Sequence, residues 1–343
     1  MMMPADSASS LETSSVAVIG AGIAGSWQAL LFARAGYDVT LLDRDDETMT
    51  QATSHWAGGM LAPWCEQEIS EPIITHLGKR SLDLWRNQLP DTPFNGTIVV
   101  AHQRDRPDLE RFARMTAEHL RLDADGIAAL EPQLDRRFND GLFFPDEAHV
   151  EPRSVLPKLH ASLLAAGGAI RFQTECDPDA LNRHFDHVID CRGLGARDRF
   201  PDLRGVKGEM IVVETPDVAL SRPIRLLHPR WPIYVIPRDG QQFMIGATSI
   251  ESEDYGVSVR SVLELLTSAY SVDPAFAEAR VVEIGSGLRP AFPDNLPRIV
   301  IDKNVVSVNG LYRHGFLLSP VLAQLTLAYV QRGEVHNEIM HHI

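Results

Sequence analysis

Cysteine is scarce in this chain: Cys65, Cys176 and Cys191 are the only three in 343 residues. Few and scattered, they exclude a disulfide framework and a cysteine-rich zinc site, and they fit reduced thiols in a cytoplasmic protein. Positive charge is also short. Lys and Arg number 32 against 46 Asp and Glu, a formal net charge of −14. A surface of that sign repels a phosphate backbone, so no nucleic acid is expected as a partner. Convincing membrane spans are missing too. Residues 13–33 run for 21 positions without a charge, yet they include Gly20, Gly22, Gly25, Ser14, Ser15, Ser26 and Gln28. That is too much glycine and polarity for a bilayer helix. Asp6 and Glu12 precede the stretch where a signal peptide would be positive. No membrane partner is expected, and no internal repeat, low-complexity tract or heptad pattern is visible.

What remains is a globular composition, 44% hydrophobic and 23% charged, with ample material for a core. At about 100–200 residues per domain, the length predicts two domains. Residues 1–12 read as a disordered leader.

The first chemical signal follows directly. Ser15-Val16-Ala17-Val18-Ile19 is an apolar, β-branched run, hence a buried strand. Gly20-Ala21-Gly22-Ile23-Ala24-Gly25 comes next, then a predicted helix over residues 26–35 closed by Gly36. A second predicted strand over residues 37–42 ends on Asp43. This is a β-α-β unit with G-x-G-x-x-G and an acid after its second strand, the pattern of a dinucleotide site. Gly20 permits the tight turn, Gly22 lets the backbone approach a pyrophosphate, and Gly25 lets the helix pack on the strand. The helix N-terminus offers N–H groups and a positive dipole end. Asp43 can accept hydrogen bonds from a ribose. The candidate cofactor contacts here are Gly20, Gly22, Ile23, Ala24, Gly25, Asp43 and Arg44. By itself the unit does not choose between FAD and NAD.

Further along, periodicity predicts helices over residues 78–89, 107–122, 153–166, 259–271 and 320–332, with a short one at 125–130. Strands are predicted over 98–101, 142–144, 169–172, 185–191 and 305–309. Runs over 208–214, 233–237, 242–247 and 280–287 alternate with turns and suggest an antiparallel sheet. Asn95-Gly96-Thr97 matches a glycosylation sequon but reads here as a hairpin turn. Cys191 reads as a small buried hydrophobe at a strand end.

The loop Thr53-Ser54-His55-Trp56-Ala57-Gly58-Gly59-Met60-Leu61-Ala62-Pro63 resembles the D-amino-acid-oxidase family of FAD enzymes. In that family a Ser/Thr followed by Ala-Gly-Met-Leu-Ala-Pro runs beside the flavin ring and pyrophosphate. The match implies that Ser54, Ala57, Gly58, Gly59 and Met60 contact the cofactor. The C-terminal half is similar to the thiamine-pathway glycine oxidases of that family. The blocks that carry the likeness are Val206-Lys207-Gly208-Glu209, Tyr234-Val235-Ile236-Pro237-Arg238, Ile245-Gly246-Ala247-Thr248, Gly287-Leu288-Arg289-Pro290 with Asp294 and Pro297, and Asn309-Gly310-Leu311-Tyr312-Arg313-His314-Gly315-Phe316-Leu317-Leu318-Ser319-Pro320. They occur in the family's order, and with the N-terminal motifs they cover nearly the whole chain.

The resemblance implies an α/β fold: a Rossmann-like βαβ FAD domain with a substrate domain built on a largely antiparallel sheet. The expected FAD domain is discontinuous, over 13–85, 146–204 and 284–343, with the substrate domain over 86–145 and 205–283. Arg289 and Tyr234 are implied to hold a substrate carboxylate, with Arg313 bordering the site. Cys176, Gly193, Gly287 and His314 are implied cofactor neighbours. The backbone of Gly315, Phe316, Leu317 and Leu318, opening the last helix, is implied to face the flavin. Sarcosine oxidases often bind flavin through a late cysteine; none follows Cys191 here, so noncovalent FAD and no metal are expected.

The implied reaction is oxidative deamination of a small amino acid, glycine first, by hydride transfer from Cα to flavin N5, with dioxygen reduced to hydrogen peroxide. Sarcosine, another secondary amine or a D-amino acid is the alternative substrate, and a homo-oligomer is the expected assembly. A quinone-linked dehydrogenase lacks a visible membrane anchor, and a tRNA-modifying flavin domain is disfavoured by the acidic charge. A non-catalytic NAD-binding protein is disfavoured by Arg289 in its motif. Leu311, His314, Ile299-Val300 and Pro232 depart from the family pattern near the substrate end.

Overall fold

The structure, a computed structural model, describes residues 13–92 and 94–343. The expected leader over 1–12 lies outside the described residues. Two sheets organise the chain. The first has seven strands in the order Met340–His342, Arg298–Asp302, Val305–Asn309, His187–Asp190, Ser15–Ile19, Asp38–Leu42 and Ala169–Arg171. Ser15–Ile19 pairs in parallel with Asp38–Leu42 on one side and with His187–Asp190 on the other. Val16, Ala17, Val18 and Ile19 are all buried, as a parallel strand covered on both faces requires.

The helix Ile23–Arg34 leaves the first strand across the glycine turn and packs against the last helix, Gly315–Arg332. Trp27, Leu30 and Phe32 from the first helix and Leu318, Val321 and Leu322 from the last lie in one core. The uncharged stretch over 13–33 is thus a strand, a turn and a helix. Among the described residues no helix is long and apolar enough to cross a membrane.

The second sheet has eight strands in the order Arg280–Ala291, Arg204–Glu214, Gln242–Gly246, Ile233–Arg238, Ile224–Leu227, Thr97–Ala101, Asp140–Phe144 and Leu120–Asp123. Every pairing is antiparallel except that of Ile224–Leu227 with Thr97–Ala101. Arg204–Glu214 runs alongside Arg280–Ala291 from Arg204↔Ala291 to Glu214↔Arg280, which sets Gly208 opposite Gly287 and Val206 opposite Arg289. Chain order alternates between the sheets. Strand Arg280–Ala291 stays in the second one throughout, across the boundary expected at 284.

Four expectations are corrected. The helix predicted over 107–122 is Arg106–Met115. Thr116 bonds back to Phe112 O, Glu118 takes a left-handed φ of 58°, and the chain leaves as the edge strand Leu120–Asp123. The helix predicted from residue 78 starts at Pro72, where the missing N–H costs nothing. The last helix starts at Gly315 and runs through Pro320. A proline there strips Phe316 O of its helical partner, and the Trp85 indole takes that carbonyl at 2.9 Å. The strand predicted over 280–287 continues to Ala291 through Pro290; the strand is an edge of its sheet, where proline is tolerated.

Candidate active site

The carboxyl ends of the parallel strands and one face of the second sheet enclose a cavity of about 330 Å³. From the first sheet it is lined by Gly20, Asp43, Cys191 and Asn309, each at a strand's end. From the second it is lined by Gly208, Tyr234, Ile236, Met244, Gly287 and Arg289.

One end is a cradle. Gly20 has φ +97°, and a Cβ there would lie 2.5 Å from Cys191 O, so only glycine makes this turn. A Cβ on Gly25 would lie 1.8 Å from Gly20 O; this glycine lets the helix close on the strand. Gly22 at the helix N-cap supplies no side-chain cap, and no acid sits in the first turn. That N-terminus is left for an anion. Ile23 N–H donates to Ser54 Oγ at 3.0 Å, tying the 53–60 loop to the helix start. Thr53 Oγ1 donates to Leu288 O at 2.7 Å, tying it to the second sheet. Asp43 accepts from the N–H of Ala21 and of Asp45, one per carboxylate oxygen, which leaves each oxygen a lone pair for a ribose hydroxyl. At the far side the last helix opens into the cavity at Gly315 and Phe316, again with no side-chain cap and no acid in its first turn. Two helix N-termini and a ribose acceptor suit a dinucleotide diphosphate and an electron-rich ring.

Of the residues expected to hold the cofactor, Gly20, Gly22, Ile23, Ala24, Asp43, Arg44, Ser54, Ala57, Gly58, Gly59 and Met60 line the cavity. So do Cys176, Gly193, Gly287, Gly315 and Phe316. Burial holds the thiols of Cys176 and Cys191 above the usual thiol range, so both stay neutral. Four expected residues do not line it. Gly25 packs behind the turn. Leu317 is buried against Gly78, and Leu318 is buried with its N–H spent on His314 O at 2.8 Å. His314 donates its N–H to Leu311 O, and its ring Nε2 lies 3.3 Å from Ser70 Oγ. Burial pushes its imidazole down to about 4 against the pull of Glu66, so the ring is neutral.

The other end collects charge. Arg289 donates through Nη1 to Thr248 O at 3.0 Å and more weakly to Lys207 O at 3.5 Å. It lies flat on Gly208, where a Cβ would come within 2.1 Å of Nη2. Among the described residues it forms no ion pair. Burial, reinforced by Arg313, brings its guanidinium down to about 10, still charged at neutral pH. Tyr234 is buried, and burial first of all raises its phenol well above the usual range. Arg313 also lines the cavity, with Nε 3.8 Å from Glu66 Oε2.

Sequence reasoning missed two residues here. Arg225, on the unpredicted strand Ile224–Leu227, donates to the Tyr234 hydroxyl at 3.0 Å and to Cys65 O, and pairs with Glu68 at 3.4 Å. Its only local trace is a charge inside Pro223-Ile224-Arg225-Leu226-Leu227. Glu66, buried and lining the cavity, follows Trp64-Cys65 in what reads as an ordinary loop.

The sequence model of the family described as FAD dependent oxidoreductase matches residues 15–329. A Rhizobium etli protein assigned to thiamine biosynthesis as the oxidoreductase ThiO is 49% identical over 310 residues, 90% of this chain and 94% of that protein. The glycine oxidase of Geobacillus kaustophilus is 27% identical over 357 residues, 93% of each chain. The crystal structure of glycine oxidase from Bacillus cereus superposes with a TM-score of 0.80 at 22% identity, covering 94% of this chain and 98% of the other; it shares the fold.

Proposed function

The chain belongs to the FAD dependent oxidoreductase family, and on that premise we propose that it oxidises a small α-amino acid, glycine first, to its imine. FAD is the cofactor, bound noncovalently. The residues fit it: Gly22, Ile23 and Ser54 would hold the pyrophosphate, Asp43 the ribose, and the Gly315–Phe316 backbone the flavin. When bound, FAD supplies the two-electron acceptor for the Cα–N bond, and dioxygen takes the electrons on as peroxide.

The chain's own residues bind and orient. Arg289 presents N–H groups that have no acceptor among the described residues. Tyr234 receives its hydrogen bond from Arg225 and keeps its own proton to donate. Together they can fix a carboxylate by charge-assisted bonds, which turns Cα toward the flavin side of the cavity. Met60, Ile236, Met244, Leu311 and Phe316 line the same cavity and supply apolar walls that favour a short side chain. The imine hydrolyses in water to the keto acid and ammonia.

The observation that carries this reading is Arg289: a half-buried guanidinium with no ion-pair partner among the described residues, facing the cavity that the dinucleotide cradle opens into. The Rhizobium etli relative supports a place in thiamine biosynthesis. The three free cysteines support a cytoplasmic location. The test is product release in air from glycine, sarcosine, D-alanine and D-proline. Glycine is expected to give glyoxylate, ammonia and peroxide in equal amounts with the highest kcat/KM. A higher value for another substrate would replace glycine with it.

A further inference from the structure

Glu66 is a carboxylate in want of a partner. The backbone that carries it is fixed: Glu147 accepts from Trp64 N–H at 3.1 Å and Cys65 N–H at 2.8 Å, and Glu66 N–H donates to Ala62 O at 3.3 Å. The side chain is buried, yet neither carboxylate oxygen accepts a hydrogen bond among the described residues. Oε2 is sealed from solvent without a partner, as is His314 Nδ1 facing it at 3.8 Å. Arg313 Nε is also 3.8 Å from Oε2, beyond hydrogen-bond reach. That leaves Oε1 as the oxygen the cavity can reach.

The charges around Glu66 come from three elements. Arg313 and the neutral His314 stand on the turn before the last helix, Arg225 on strand Ile224–Leu227, and Arg289 on strand Arg280–Ala291. Tyr234 and Cys65 nearby are held neutral by burial. Burial favours protonation of Glu66, but the cationic neighbours outweigh it and keep the carboxyl below its ordinary value, ionised. A buried, ionised carboxylate without hydrogen bonds is costly. Asp43, Asp45 and Glu175, the other acids of the lining, stand beside the nucleotide cradle. Glu66 is therefore the acid at the Arg289 end.

We infer that Glu66 forms the ammonium subsite of this cavity, so that an α-amino acid is held as its zwitterion, carboxylate on Arg289 and ammonium on Glu66. This rests on the amino-acid reading above and deepens it. An ammonium brings several N–H donors to an oxygen that has none. Arg289 and Arg313 line this end of the cavity and Arg225 also acts on Glu66, so a cation there would be repelled without this counter-charge. The subsite favours α-amino acids over hydroxy acids of the same size. It also has a cost in rate: a carboxylate beside the ammonium retains the proton that the nitrogen must lose before its lone pair can form the C=N bond. Removing the charge lowers the amine's pKa in the complex, so the acidic limb of kcat moves to lower pH while KM for glycine rises.

The test uses holoenzyme reduced with dithionite, which cannot turn over. Glycine and glycolate, which differ in ammonium against hydroxyl, are titrated calorimetrically into the wild type, Glu66→Gln, Glu66→Asp and Arg313→Gln, with flavin content checked by absorbance. Glu66→Gln is expected to lose glycine affinity by roughly 10-fold or more, the value of a hydrogen bond to a charged group, and to hold glycolate within about twofold. Glu66→Asp should recover part of the preference for glycine. Equal weakening of both ligands, in Glu66→Gln and Arg313→Gln alike, would make Glu66 only a tether for Arg313 and overturn the subsite. Unchanged glycine binding in Glu66→Gln would overturn it too, while leaving glycine oxidation by the wild type intact. A wild type that binds neither ligand would remove the subsite and the amino-acid reading together.

Discussion

Arg225 and Tyr234 face each other across an antiparallel strand pair, in register, with Nη1 3.0 Å from the phenolic oxygen. Both are buried. The guanidinium can only donate, so the hydroxyl accepts from it and must turn its own proton elsewhere. The cavity that Tyr234 lines offers that direction. On the proposed reading, in which Tyr234 donates to the substrate carboxylate, Arg225 is its positioning residue, and its further bond to Cys65 O ties the same unit to the loop that carries Glu66.

Arg225→Gln is expected to raise KM for glycine more than it lowers kcat, because it misaligns a binding group. It also leaves Glu68 with only Arg111, at 2.6 Å, among its partners. Glu68 keeps that partner, so stability should fall by less than the about 3–5 kcal/mol of a buried charge left unpaired, and the melting temperature with it. Tyr234→Phe should reproduce the rise in KM without that fall. Steady-state kinetics and thermal unfolding on both variants check this; a KM unchanged in Arg225→Gln would contradict the positioning role.

Gly208→Ala is expected to act on Arg289. A Cβ at 208 would lie 2.1 Å from Nη2 and 2.4 Å from Cζ, so the guanidinium must move off its present plane. The strand has ordinary φ at this position, and alanine fits it. Flavin content should therefore stay normal while kcat/KM for glycine falls by roughly 10-fold or more, the loss of one charged hydrogen bond. Titration with glycine at fixed oxygen reads this directly.

Glu147 sets a pH dependence of stability. Burial raises its carboxyl to about 7, against the opposing hydrogen bond from Cys65 N–H. Its value in the unfolded chain is about 4.3. Between the two, the folded state holds a proton that the unfolded state has released, so stability falls as pH rises through that window. The contribution is fully present below about 4 and lost above about 7. Glu147→Gln keeps an acceptor for Trp64 and Cys65 and cannot ionise. Its melting temperature should change less than the wild type's between pH 5 and 8. Equal slopes would contradict the assignment.

The dinucleotide cradle was legible because it is local. Strand, glycine turn, helix, strand and Asp43 fall within 29 consecutive residues, 15–43, and each glycine answers a steric need visible in its spacing. Arg289 and Tyr234 were reached only through likeness to a family. Neither spacing nor periodicity distinguishes an arginine that clamps a carboxylate from one in an ion pair. Arg225 and Glu66 stayed hidden for a stronger reason. Arg225 bonds Cys65 and Glu68 across 160 and 157 positions, and Glu66 faces residues 313 and 314, so no window of sequence contains either arrangement. Helix ends failed in the same way. Pro320 reads as a helix start until Trp85, 231 residues from Phe316, supplies the donor that the proline lacks. Gly25 and Leu318 show the reverse error: a motif names a block, but within it some residues serve packing and some serve the ligand.

The central claim is that glycine delivers electrons to bound flavin in a cavity where Arg289 holds its carboxylate. The direct test is the visible spectrum of the purified holoprotein, anaerobic, before and after glycine, for the wild type and Arg289→Gln. The wild-type flavin band should bleach and return on admitting air, with peroxide released. Arg289→Gln should carry the same yellow flavin and need roughly 100-fold more glycine to bleach, since truncating one partner of a buried charge pair costs about 2–5 kcal/mol. A yellow wild type that glycine leaves unchanged, or an Arg289→Gln protein that bleaches at the wild-type concentration, would contradict the account.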